Sequence, residues 1–132
     1  MIERKQAEIL APVGGAQQLL AAVRCGADAV YLGAQGFNAR RNAENFETTD
    51  LKAAVGYCHA RGVRVHVTVN TLVMDKEKDA LEATAQEIAQ SGADAVIIQD
   101  MAVLKLFRDR CPGISLHAST QTVVHNSDGA KF

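Results

Sequence analysis

The sequence carries no surplus of charge of either sign: 14 basic and 15 acidic residues leave a formal net charge of -1. No broad field therefore draws a polyanion to it, and any contact with nucleic acid must come from local groups. Cysteine is sparse: Cys25, Cys58 and Cys111 are an odd count without CxxC spacing. That suggests neither a disulfide framework nor a zinc site, so reduced thiols are expected. The start, MIERKQAEILAP, lacks the apolar core and small-residue cleavage pattern of a signal peptide, which makes the cytoplasm the expected compartment. With 48% hydrophobic and 22% charged residues there is no room for a membrane span, and one soluble unit is expected.

Five short, mostly apolar runs alternate with helical stripes: Glu8 to Val13, Ala29 to Ala34, Arg64 to Asn70, Ala95 to Asp100 and Ser115 to Thr120. Strands joined by helical crossovers run parallel. Leu51, Ala54, Val55 and Cys58 share one helical face, as do Leu81, Ala85 and Ile88, and Val103, Leu106 and Phe107. Gly26, Gly62 and Gly92 follow the first three helical stretches as helix stops, while Asp50 and Asp100 suit N-caps. GADAVYL from Gly26 recurs as GADAVII from Gly92, two β-α units later, repeating the architectural unit. This is an α/β fold, read as a parallel β/α (TIM-like) barrel of which residues 1–132 are the N-terminal half, with about five strands. A whole eight-stranded barrel takes about 250 residues, so a truncated single domain is expected. A complete doubly wound open sheet is the alternative.

Period-two alternation sorts side chains by face. Val65, Val67 and Val69 suit the helices, whereas Arg64, His66, Thr68 and Asn70 point inward. In the fifth run Leu116 and Ala118 oppose His117, Ser119 and Gln121, so two polar columns are expected to converge. Barrel sites lie at the carboxyl ends of strands. That singles out Gly14, Gly15, the Gly33 to Gln35 turn, Asn70, Thr71, Gln99, Asp100 and Ser119 to Gln121, an amide and hydroxyl rim suited to recognition rather than proton transfer. Arg40 and Arg41, in a long loop after the second strand between Phe37 and Phe46, can grip phosphate or carboxylate or pair with Glu44 and Glu47. Glu8 and Arg64 at the opposite end are expected to form a buried, structural ion pair.

Sharper chemistry finds less support. His117 and Ser119 stand roughly 6 to 7 Å apart on one strand face, too far for direct proton transfer. No GxSxG elbow is present, and neither HxH nor HExxH spacing accompanies His66 and His117. No metal is expected; hydrogen-bonded lumen histidines are.

EILAPVGG, GADAVYLGAQGFNARRNAENF, VHVTVNTL, GADAVIIQDMAVLKLFR and LHASTQTVVHNSDGAKF, in that order, resemble consecutive blocks of the U32 peptidase family. The resemblance implies either collagenase-like proteolysis or oxygen-independent hydroxylation of transfer RNA, ribosomal RNA or quinone precursors. IIQDM and HASTQ look closest to the branch that hydroxylates a ribosomal RNA cytidine. It further implies, for a parent protein, an iron-sulfur cluster on a downstream cysteine signature and prephenate as oxygen source. Cys25, Cys58 and Cys111 do not match that signature, so no cofactor is expected in this segment, which alone is expected to be inactive. Expected substrate contacts are Gln35, Arg40, Arg41, Asn70, Gln99, Asp100, His117, Ser119 and Gln121, toward RNA or peptide. A non-catalytic binding or scaffold role is the remaining reading, and open sheet edges predict a homo-oligomer.

Overall fold

The computed structural model describes residues 7–39 and 48–131. In chain order the elements are β1 (Leu10–Pro12), α1 (Ala16–Arg24), β2 (Ala29–Gly33), α2 (Thr48–His59), β3 (Arg64–Val69), α3 (Lys78–Ser91), β4 (Ala95–Ile98), α4 (Met101–Arg110), β5 (Ser115–Ala118) and α5 (Ser127–Lys131). All five expected strands form, trimmed at their ends.

The strands make one sheet in the order β1-β2-β3-β4-β5, every neighbour parallel. A doubly wound sheet reverses its order partway and places helices on both faces. Here the order never reverses, and α1, α2, α3 and α4 pack side by side in sequence. The result is a singly wound β/α arc, the arrangement of a barrel wall.

Between helices and sheet lies the core. Val65, Val67 and Val69 are fully buried there, with Cys58, Ile88, Val103 and Phe107 from the helices. The three helical stripes are buried as expected, Leu106 only in part. Gly26, Gly62 and Gly92 all have positive φ, at 88°, 72° and 82°, where a side chain is disfavoured, and each ends a helix. Asp100 caps α4, accepting from Ala102 N–H at 2.7 Å. Asp50 departs from its expected cap role: α2 begins at Thr48, so Asp50 sits in its first turn.

The repeat has a structural meaning that its letters do not show. Asp28 accepts a hydrogen bond from Ile9 N–H at 2.7 Å, and Asp94 accepts from Val65 N–H at 2.7 Å. Each GADAV aspartate thus clamps the entry of the preceding strand. Asp94 also bonds His59 Nε2 at 2.8 Å, tying the end of α2 to the same point. Glu8 and Arg64 do pair, but both side chains stay largely exposed instead of buried. A short β1 leaves that end of the arc open to solvent.

Candidate functional site

The concave face of the arc is built by the side chains that alternate away from the helices. Register places Tyr31, His66, Ala95 and Ser115 on one level, and Gly33, Thr68, Ile97 and His117 on the next. Above them, toward the carboxyl ends of the strands, a cleft of about 500 Å³ opens. Its walls include Tyr31, Asn38, Thr68, Asn70, Ser119, Thr120 and Gln121, with the backbone of Gly33 and Ala39.

Hydrogen bonds fix much of this wall. The Thr68 hydroxyl lies 3.2 Å from Leu32 O and 3.1 Å from Asn38 Oδ1, all buried. Asn70 Oδ1 accepts from Ala39 N–H at 3.1 Å. β3 therefore holds the segment leaving β2 across the cleft edge. Ser119 is buried and caps a 3-10 turn, Thr120–Thr122, its Oγ accepting from Gln121 N–H at 3.3 Å. That turn leaves the Gln121 side chain exposed at the cleft.

Of the expected contact residues, the fold brings Asn70, Ser119 and Gln121 together. Gln99 stands beside them, its Nε2 donating to Gln121 O at 3.4 Å. Both carboxylate oxygens of Asp100 are occupied by backbone N–H groups, of Ala102 and of Val73 at 3.1 Å, so it braces two loops. Gln35 opens onto a different groove, with Phe37, Leu51, Glu77 and Ile88 on the helical side. Arg40 and Arg41 lie outside the described residues. Tyr31 joins the cleft without having been singled out, although counting back by two from Gly33 on β2 would have marked it as inward.

The two polar columns do converge. His66 and His117 meet with ring centroids 4.8 Å apart and planes at 85°. They come from β3 and β5 and touch across β4, where Ala95, the register partner of His66, is too small to separate them. Contrary to the expectation of hydrogen-bonded histidines, the buried His66 Nδ1 finds no hydrogen-bond partner among the described residues. Burial lowers the His66 pKa below the usual 6.5, with His117 and then Arg64 adding to the shift. The stability consequence has a definite sign. The unfolded chain takes up this proton near pH 6.5 and the folded chain only at lower pH, so stability present above pH 6.5 drains away as pH falls toward the folded value. We expect the thermal midpoint to drop between pH 7.5 and 5.5, and His66→Gln to flatten that profile in a melting series.

The described side chains of the cleft are suited to recognition. Amides, hydroxyls and backbone groups donate and accept hydrogen bonds without ionising near neutrality. Ser119 Oγ accepts from Gln121 N–H and keeps its own proton to donate, and no group of three or more histidines, cysteines or carboxylates positioned for a metal occurs among the described residues. No helix among those residues is long and apolar enough to cross a membrane.

Comparison with known proteins gives this arrangement a context. The chain is 40% identical over 125 residues to the 23S rRNA 5-hydroxycytidine C2501 synthase of Escherichia coli, covering 95% of this chain and 18% of that protein. It is 35% identical over 126 residues to a collagenase of Porphyromonas gingivalis, covering 95% and 30%. It is 30% identical over 128 residues to tRNA hydroxylation protein P1 of Bacillus subtilis, covering 97% and 30%. This chain thus spans less than a third of each of these three relatives. A solved U32 peptidase structure superposes with a TM-score of 0.73 over 98% of this chain and 56% of that one, at 14% identity, which supports the fold alone. The family model for peptidase family U32 matches residues 14–132, nearly the whole length, and the chain belongs to that family.

Proposed function

We propose that this chain is the N-terminal barrel segment of an RNA-modifying enzyme that hydroxylates a nucleoside without molecular oxygen, its cleft reading the RNA. The observation that carries the reading is the cleft wall itself: Asn38, Asn70, Ser119, Thr120 and Gln121 offer amide and hydroxyl groups. Unstacked bases in single-stranded RNA are read by hydrogen bonds to their edges, which such groups supply. Two relatives named for rRNA and tRNA hydroxylation add support. An RNA substrate also suits the cytoplasm.

An iron-sulfur cluster does not fit the cysteines of this chain. Cys58 and Cys111 are buried in the helix-sheet core, where burial pushes both thiols up in pKa, while Cys25 is exposed at the end of α1. Cluster ligands are converging thiolates. Such a cluster would need cysteines other than these three.

Deleting the gene and analysing rRNA and tRNA nucleosides by mass spectrometry tests the reading; loss of a hydroxylated nucleoside is expected. Gln121→Ala should restore roughly fivefold to 150-fold less modification than the unaltered gene, the scale of one lost specific hydrogen bond at about 1–3 kcal/mol. Unchanged nucleosides in the deletion strain would sink the proposal. Cleavage of gelatin by the purified protein would favour the peptidase reading, which the collagenase relative supports.

A further inference from the structure

The concave face carries a second feature, the imidazole pair below the cleft. We propose that His66 and His117 form a two-histidine site for a divalent transition-metal ion of the zinc, cobalt or nickel kind, its remaining positions open to water or to a ligand in the cleft.

Geometry is the first ground. Two imidazoles sharing one tetrahedral ion, with metal-nitrogen bonds of about 2.1 Å, hold their ring centres about 5 Å apart. The observed 4.8 Å meets that spacing, and the 85° between planes is open to two rings converging on one point from different strands. The second ground is the unpartnered Nδ1 of His66, a residue only 7% exposed. Ligating imidazoles ordinarily use one nitrogen on the metal and the other on a hydrogen-bond partner. An orphaned buried nitrogen marks a histidine whose surroundings are incomplete without a ligand.

Charge and space agree. Burial favours the neutral form of His66, the form that metals bind. Arg64, two residues before His66 on β3, is paired with Glu8. His117 is exposed, so an ion can reach the pair from its side. Among the described residues no third histidine, cysteine or carboxylate joins the two, so water or a ligand in the cleft would have to complete the coordination.

The test is titration of the purified chain with cobalt(II), followed by visible absorption and by the histidine ring signals in NMR. One ion per chain is expected, shifting His66 and His117 together and displaced by zinc. Affinity should fall as the pH is lowered, since protons compete for imidazole nitrogens. His117→Gln, at an exposed position, should weaken binding at least about tenfold while leaving the circular dichroism unchanged; His66→Gln should do the same if it folds. No uptake would overturn the proposal. So would binding that survives His117→Gln but is lost in His59→Gln, which would place the ion beside Asp94 on the helical side.

Discussion

Phe107→Ala is expected to destabilise the chain by about 3–5 kcal/mol, the usual cost of emptying a fully buried aromatic site. Phe107 is 0% exposed, on the face of α4 that also buries Val103. The cavity has little means of collapsing, because its surroundings are held by the sheet on one side and by α3 on the other. Domains of this size are stable by only about 5–15 kcal/mol, so the variant should unfold at much lower urea. Leu106→Ala, one position along and half-buried, should cost clearly less. Equal midpoints for the two variants in urea denaturation would mean that α4 does not seal the core.

Asp94→Ala should cost about 1–3 kcal/mol, a large effect for a residue outside the apolar core. Removing the carboxylate strips the acceptor from Val65 N–H, a part-buried donor, and releases His59 at the end of α2. Asp94→Asn keeps an acceptor oxygen and should recover part of the loss. Asp28→Ala removes the equivalent clamp on Ile9, but in an exposed setting where water can replace it, so its effect should be smaller. Urea midpoints for the three variants check the order. If Asp28→Ala were the most damaging, the aspartates would be doing something other than clamping strand entries.

These two predictions draw on different kinds of legibility. Phe107 could be placed in the core from spacing alone, because one face of a helix against a sheet imposes a 3.6-residue period that composition displays directly. Val65, Val67 and Val69 were equally readable, since a strand has only two faces. Gly26, Gly62 and Gly92 marked helix ends because positive φ is a local demand that glycine meets best. The clamping role of Asp28 and Asp94 was not legible, although the repeat that contains them was. A carboxylate between a helix end and a strand looks the same on paper whether it faces solvent or a neighbouring strand.

By itself, then, the sequence determined the β-α alternation, the buried faces and the set of polar side chains turned inward, all of which follow from periods of two and 3.6 residues within single elements. Only the tertiary structure decided which of those residues meet. It assembled Asn70, Ser119 and Gln121 into one cleft, turned Gln35 to another groove, engaged both oxygens of Asp100, and brought His66 against His117 over Ala95. Such encounters depend on strand order and register, and these are set by the summed packing of helices on the sheet, a quantity that no local period contains.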